Sequence, residues 1–182
     1  MLVQKILETL FFNVLTLYTG IAAVTYLLIK DRGVKLHYVE AGDTSMPLLL
    51  CLHGFPECWF SWRHQLKEFS SQFRVVAVDL RGYGDSDKTK RVSDYSFSET
   101  VEDIKSFIQE LEPVDGKCSL MGHDWGGTLA WKFVEKYPHL IHRHISINSP
   151  HSDVMAQLLK SNFSQLKKFW CVYMIFFSVL NI

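Results

Sequence analysis

The run Gly122-His123-Asp124-Trp125-Gly126-Gly127 decides how the middle of this chain folds. It follows the apolar segment Cys118–Met121, which has the composition of a buried strand. Glycines two residues before and two residues after Asp124 indicate a strand that turns sharply into a helix, where larger side chains would collide. Apolar residues recur at helical spacing over Thr128–Tyr137, and Pro138 predicts the end of that helix. We therefore predict a tight strand-to-helix turn with Asp124 at its tip.

A carboxylate at this tip predicts a particular kind of chemistry. In the G-x-S-x-G turn of serine hydrolases, a serine occupies the position of Asp124. A carboxylate is a poor reagent toward esters, but it can displace a leaving group from an sp3 carbon and become an ester itself. The simpler interpretation is that Asp124 only caps the helix, yet a cap needs no pair of glycines around it. We therefore predict that Asp124 is a catalytic nucleophile.

Two more segments have the pattern of a buried strand followed by a loop. Pro47–Leu52 is continuously apolar and runs into His53-Gly54-Phe55-Pro56-Glu57. Phe73–Leu80 is also apolar apart from Arg74 and Asp79, and it runs into Arg81–Asp87. By itself a loop with Gly and Pro is ordinary turn chemistry, but its pairing with the Asp124 turn favours a functional role. In the Arg81 loop the Gly and Asp residues indicate turns, and we expect Arg81 to fix that loop by pairing with carboxylates.

Helical patterns separate these strands. They cover Trp62–Phe69 and Ser98–Leu111, and a further strand is predicted over His144–Ile147. Strands that alternate with helices predict an α/β fold with a mostly parallel sheet flanked by helices.

Three motifs, taken in order, resemble those of the α/β-hydrolase-fold epoxide hydrolases: His53–Glu57, Asp79–Asp87 and Gly122–Gly127. The resemblance is greatest to the membrane-anchored branch that is similar to epoxide hydrolase 4, and it covers roughly residues 33–160. It implies that Asp124 opens a small lipophilic epoxide and forms a covalent ester. It also implies that a distal His–carboxylate pair hydrolyses this ester to a vicinal diol. We predict no cofactor for this chain. Phe55 and Trp125 would supply the two backbone N–H groups of the oxyanion hole.

The chain departs from this family in its C-terminal part. The family's catalytic His, its acid partner and the tyrosines of the cap domain are expected far beyond the Asp124 turn. The histidines after Asp124 are too close to it in sequence for that role, and we assign none of them: His139, His142, His144 and His151. We therefore expect an incomplete hydrolase core over residues 30–160, from a chain shortened by splicing, premature termination or a gene-model error. Such a chain is expected to be inactive or half-active alone, and its open sheet edge to favour aggregation.

Two alternative functions stay open at the level of sequence. A haloalkane or haloacetate dehalogenase would use the same aspartate nucleophile. A non-catalytic, membrane-anchored remnant of a hydrolase would retain the motifs without the activity.

The N-terminal part contains a long uncharged run that is typical of a membrane-spanning segment. After a flank of residues 1–9, Leu10–Ile29 is a run of 20 residues without a charge, the length of one transmembrane helix. We predict a single-pass membrane protein, with the endoplasmic reticulum as a candidate location. The alternative is that Tyr26–Lys30 forms an edge strand, paired through a turn at residues 31–33 with Val34–Glu40.

Composition excludes other classes of function. The chain has 19 basic and 19 acidic residues, so a nucleic-acid partner is not expected. The four cysteines show no Cys-x-x-Cys spacing, and His142 and His144 share a strand face without a third ligand, so we predict no metal site. Residues 161–182 form a divergent, apolar tail, in which Phe169–Ile182 is only 14 residues long and short for a membrane span.

Overall fold

The computed structural model of the protein describes residues 23–161 together with residues 164 and 167. The strands in this part are β1 (Ala23–Ile29), β2 (Val34–Ala41), β3 (Leu48–Leu52), β4 (Arg74–Val78), β5 (Cys118–His123) and β6 (Ile141–Ile147). The α-helices are α1 (Arg63–Phe69), α2 (Phe97–Leu111), α3 (Trp125–Lys136) and α4 (Ser152–Ser161). Short 3-10 turns occupy Trp59–Trp62, Val92–Tyr95 and Pro138–Leu140. Each strand and helix predicted between residues 47 and 147 is present, with ends shifted by a few residues.

The strands form one mixed sheet in the order β1-β2-β4-β3-β5-β6. Strands β4, β3, β5 and β6 are parallel to one another, whereas β2 is antiparallel to both β1 and β4. The predicted mostly parallel α/β sheet is therefore confirmed. Because parallel strands end at the same edge of a sheet, the loops after β3, β4 and β5 meet there, and this is where ligands bind in such folds.

The sheet has an apolar core on each face. All five residues of β3 are buried, as expected for a strand that is covered on both sides. Helices α2 and α3 pack on one face, with Phe107 and Phe133 fully buried among the strand residues. On the other face, Trp62 and Leu66 cover β3 and β4. Helix α4 belongs to a separate compact unit that begins at Pro150.

The prediction of a transmembrane helix over residues 10–29 is wrong for residues 23–29. They form β1, which pairs with β2 in the register Ala23 with Glu40 to Ile29 with Val34. Ile29 is fully buried, whereas Tyr26 and Leu28 are 50% and 54% exposed. An apolar run can therefore be an edge strand that buries one face. The edge-strand alternative is the correct one.

The other membrane predictions fall on a different part of the chain. Residues 10–22 and most of the apolar tail over residues 161–182 lie outside the described residues. In the part of the chain that is described, no helix combines the length and the apolar character that crossing a bilayer requires. A single-pass membrane location stays a prediction.

Candidate active site

Asp124 occupies a backbone conformation that few residues other than glycine adopt. Its φ is 52° and its ψ is −118°, in the turn between β5 and α3. Its N–H donates to the carbonyl of Ile147 over 3.1 Å, and its own carbonyl accepts from the N–H groups of Gly127 and Thr128. The Asp124 side chain makes no capping hydrogen bond to α3. The simple capping role is therefore excluded, and the carboxylate is held where β5 ends.

The glycine spacing that predicted this turn has a steric cause. A Cβ on Gly122 would lie 2.4 Å from the carbonyl oxygen of Gly126. A Cβ on Gly126 would lie 2.2 Å from the carbonyl oxygen of Leu52, which is at the end of β3. Both contacts are with backbone, which cannot move aside easily. The two glycines thus allow α3 to start directly against the sheet.

The loop after β3 brings a backbone donor to Asp124. The N–H of Phe55 donates to Oδ1 of Asp124 over 3.1 Å. Trp125 is the first residue of α3, so its N–H is among those that have no acceptor within the helix. The structure therefore brings Asp124, Phe55 and Trp125 together at one edge of the sheet. The roles of Asp124 as nucleophile and of Phe55 and Trp125 as oxyanion-hole donors stay predictions.

Glu57 fixes the Phe55 loop from within. Its Oε2 accepts from the N–H of Gly54 over 2.9 Å and lies 3.3 Å from Nδ1 of His123. Burial raises the pKa of Glu57, but the hydrogen bonds from Gly54 and His123 outweigh it, so the net shift is downward. Glu57 is therefore ionised at neutral pH and links the loop after β3 to the residue before Asp124. The sequence motif contained Glu57 and His123, but it gave no sign of their contact.

His53 is a structural residue at the start of the same loop. It is fully buried, and its Nδ1 lies 2.8 Å from the carbonyl of Gly54, while its Nε2 lies 3.1 Å from the N–H of Leu80. These partners assign a neutral ring that donates from Nδ1 and accepts at Nε2. Burial lowers the pKa of His53, which keeps the ring neutral. Both ring nitrogens are engaged, so His53 joins the loops that follow β3 and β4.

Asp79 organises the loop after β4. Its fully buried carboxylate lies 2.7 Å from Nδ1 of His37 and accepts from the N–H groups of Trp59 and Asp85. Burial raises the pKa of Asp79, but the hydrogen bonds from His37 and from the two backbone N–H groups outweigh burial. The net pKa of Asp79 therefore lies below its ordinary value. The Asp79 carboxylate thus connects β2 to the segment after β3 and to the loop after β4. Sequence reasoning missed His37, since its partner lies 42 residues away.

Arg81 pairs with a carboxylate, as expected, but the partner belongs to α2. Its Nε and Nη2 donate to the two oxygens of Asp103 over 2.7 and 2.5 Å. Arg32, in the turn between β1 and β2, donates to the same carboxylate over 3.1 Å. Asp103 is almost completely buried, and it therefore connects the N-terminal hairpin, α2 and the loop after β4.

Aromatic side chains surround the Asp124 turn. Trp125 stacks on Phe97 with ring centroids 5.5 Å apart, and the Tyr83 ring packs edge-on against His53 and Phe55. Burial and, next, the negative charge of Asp124 raise the pKa of Tyr83, so its phenol stays protonated at neutral pH. Phe55 and Trp125 remain 41% and 36% exposed. The carboxylate is therefore bordered by aromatic side chains that remain accessible to solvent.

The two histidines of β6, His142 and His144, contact residues outside the Asp124 turn. His142 pairs with Asp115, and His144 packs edge-on against Trp131 with ring centroids 4.4 Å apart. Within the described residues, no group of three His, Cys, Asp or Glu side chains is placed to hold a metal ion.

A family model described as the alpha/beta hydrolase fold matches residues 47–170. The chain belongs to the α/β-hydrolase fold family. Among curated members, it is 48% identical over 141 residues to mouse epoxide hydrolase 4 and 47% identical over 146 residues to the human protein. These alignments cover 78% and 76% of this chain, but 39% and 40% of the relatives. The chain therefore spans about two fifths of the length of these hydrolases.

Solved α/β-hydrolase structures agree with this family. A variant of the epoxide hydrolase of Bacillus megaterium, in complex with its diol product, superimposes with a TM-score of 0.76 and 38% identity. It matches 84% of this chain, which corresponds to 51% of that structure. An epoxide hydrolase of Vigna radiata gives a TM-score of 0.66 and 37% identity, with 70% of this chain and 38% of that structure covered.

Proposed function

We propose that this chain carries the nucleophile half of an epoxide hydrolase and that Asp124 attacks the epoxide carbon. The observation that carries the proposal is the strained Asp124 backbone, with φ at 52°, together with the hydrogen bond from Phe55 to Oδ1. Strain of this kind is retained where the surrounding structure fixes a functional group. The similarity to epoxide hydrolases supports the choice of epoxides as the substrate class.

The hydrogen bond assigns different tasks to the two carboxylate oxygens. Oδ1 is held by the Phe55 N–H, so Oδ2 is the oxygen that attacks. A bond forms between Oδ2 and an epoxide carbon, and the bond from that carbon to the ring oxygen breaks. The ring oxygen stays bonded to the neighbouring carbon as an alkoxide and takes up a proton from solvent. The product of this step is an ester of Asp124.

The same geometry prepares the ester for hydrolysis. Oδ1 becomes the carbonyl oxygen of the ester, already within reach of the Phe55 N–H. When water adds to the carbonyl carbon, negative charge develops on Oδ1. The N–H groups of Phe55 and Trp125 would stabilise this charge, and each such donor can contribute about 3 kcal/mol.

A base for that water is not provided by the histidines beside the turn. Both nitrogens of His53 are engaged, and His123 lies 3.3 Å from Glu57 through Nδ1 and 3.4 Å from the Asn148 amide through Nε2. We therefore propose that the 182-residue chain forms the ester faster than it hydrolyses it, so that the ester accumulates. The complete cycle to a diol also needs a base that activates this water.

Intact mass spectrometry tests this proposal. The purified chain is incubated with a small aryl epoxide, and the protein mass and the diol in solution are followed together. We expect one added epoxide per chain, little diol, and no adduct with Asp124→Asn, which keeps the size of the side chain. A chain that stays unmodified while it is folded would overturn the proposal.

A further inference from the structure

We propose that Ser93 is a phosphorylation site for a serine/threonine kinase that recognises basic residues. Ser93 follows Lys90 and Arg91 by three and two residues in the segment Lys90-Arg91-Val92-Ser93. In the whole sequence it is the only Ser or Thr with Lys or Arg at both of these positions. Kinases distinguish substrates by such charge patterns, because acidic groups near their active site pair with the basic side chains.

The structure presents this segment to a large partner. Ser93 lies in the exposed 3-10 turn Val92–Tyr95, and residues 87–91 before it form neither helix nor strand. Val92 is 88% exposed, and the side chain of Arg91 is 82% exposed. Arg91 has an extended backbone, with φ at −88° and ψ at 126°. The 3-10 turn that holds Ser93 is closed by two hydrogen bonds, from the Asp94 N–H to the Arg91 carbonyl and from the Ser96 N–H to the Ser93 carbonyl. Entry into a kinase cleft therefore requires this short turn to open, but not the sheet or α2.

Other serines that follow basic residues are less suitable. Ser70 has only Lys67 before it at the relevant positions, next to Glu68. Ser146 follows Arg143 and His144, but it lies inside β6, where its backbone is paired with β5. A strand in a sheet cannot enter a kinase cleft unless it leaves the sheet. The combination of charge pattern and accessible backbone is therefore specific to Ser93.

The phosphate would meet a cationic group that is already close. Arg91 donates to the Asp94 carboxylate, with distances of 3.1 Å from Nη2 and 3.4 Å from Nε. A phosphoserine carries a charge of about −1.5 to −2 and three acceptor oxygens, so it competes with Asp94 for Arg91. Lys90 adds a second positive charge one residue away.

The modified turn lies against the loop that borders the candidate active site. The ring of Tyr95 lies so close to Gly82 that a Cβ added to Gly82 would be 2.5 Å from the Tyr95 ring. The Tyr95 hydroxyl also donates to the carbonyl of Thr89. Gly82 precedes Tyr83, whose ring contacts the Phe55 loop. A phosphate on Ser93 therefore changes the charge beside this loop.

The transfer step is conventional phosphoryl transfer. The Ser93 hydroxyl oxygen forms a bond to the γ-phosphorus of ATP, and the bond from that phosphorus to the bridging oxygen of ADP breaks. The hydroxyl proton passes to the catalytic carboxylate of the kinase, and ADP leaves.

The experiment uses the full 182-residue chain, MgATP and the catalytic subunit of cAMP-dependent protein kinase as the probe. The phosphorylated residue is located by tandem mass spectrometry, and the fold is monitored by circular dichroism. We expect one phosphate on Ser93, none at this position in Ser93→Ala, and a rate that falls about tenfold or more in Arg91→Ala, since a charged contact is lost. Lys67→Ala, which removes an exposed lysine three residues before Ser70, should keep the original rate.

A synthetic peptide of residues 86–98 serves as the unfolded reference. The comparison of its phosphorylation rate with that of the folded chain shows whether the kinase recognises Ser93 in the fold. We expect the folded chain to react at a rate similar to that of the peptide. Three results would each overturn the proposal: no phosphate on Ser93, a rate that does not depend on Arg91, or a reactive peptide with an unreactive folded chain. None of these results bears on the reaction of Asp124 with epoxides, since that reaction needs neither Ser93 nor Arg91.

Discussion

Gly54 and Asp124 pack so closely that a Cβ on Gly54 would lie 2.7 Å from the Cβ of Asp124 and 2.9 Å from its Oδ1. Carbon atoms in contact are normally about 3.5–4.0 Å apart. The loop after β3 and the turn after β5 therefore fit together only because residue 54 has no side chain. This contact explains why the two motifs have to occur together in one chain.

Gly54→Ala should displace the Asp124 carboxylate from the Phe55 N–H. A displacement of about 1 Å can lower a reaction rate about a hundredfold, and we expect a loss of that order in ester formation. The rate is measured by intact mass after exposure to an aryl epoxide. Gly116→Ala is the matched control, because its added Cβ meets no atom within 4 Å although its φ is 71°. Equal rates in the two variants would contradict the packing relationship.

Removal of the Asp103 charge should destabilise the whole core. Asp103→Asn leaves the buried guanidinium of Arg81 without its carboxylate, and breaking a buried ion pair in this way costs about 3–5 kcal/mol. The free energy of unfolding is measured by urea denaturation. Glu102→Gln is the control on the same helix: Lys136, its partner, is half exposed, so a much smaller loss is expected. The buried pair would be energetically unimportant if both variants unfolded at the same urea concentration.

Stability should fall as the pH is lowered through the range in which histidine titrates. The pKa of His53 is lowered in the folded protein, so below about pH 6.5 the unfolded chain takes up a proton that the folded chain does not. The contribution of His53 is complete above that pH and is lost toward its lower folded pKa, by at most about 1.4 kcal/mol per pH unit.

His53→Gln isolates this effect. Glutamine keeps a donor and an acceptor but does not titrate. The free energy of unfolding of the variant should therefore fall less steeply than that of the original chain between pH 7.5 and 5.5. Urea denaturation at several pH values gives the difference between the two proteins. An identical pH dependence in both would show that His53 does not remain neutral in the fold.

The sequence predicted the parts of the fold that depend on local pattern. The strands that end at Leu52, Val78 and His123 are mostly apolar runs followed by glycine-containing loops, and these signals lie within about ten residues. The Asp124 turn was predictable for the same reason. Its glycines are spaced by a steric requirement that acts inside the turn itself.

The helix prediction failed for residues 23–29 because hydropathy does not report which face of a strand is buried. In β1 the exposed Leu28 is as apolar as the buried Ile29, and the exposed Tyr26 carries no charge. The alternation that marks a half-buried strand was therefore absent, and the run looked like a membrane helix. Pairing with β2 decides the conformation, and this is a property of the folded sheet.

The polar supports of the site could not be predicted because they join distant segments. Asp103 contacts Arg32 across 71 residues, and Glu57 contacts His123 across 66. Nothing in the spacing of these residues distinguishes them from surface charges. The sheet order, which places β3 beside β5, brings Glu57 to His123, and the packing of α2 near the β1–β2 turn brings Asp103 to Arg32.

The most direct test of the central claim is to locate the ester in the chain. The protein is reacted with an aryl epoxide and digested at low pH, and the modified residue is identified by tandem mass spectrometry. We predict that the added mass is on Asp124 and that Asp124→Asn removes it. An adduct on another carboxylate, such as Glu57, or no adduct on a folded chain, would contradict the assignment of Asp124 as the nucleophile.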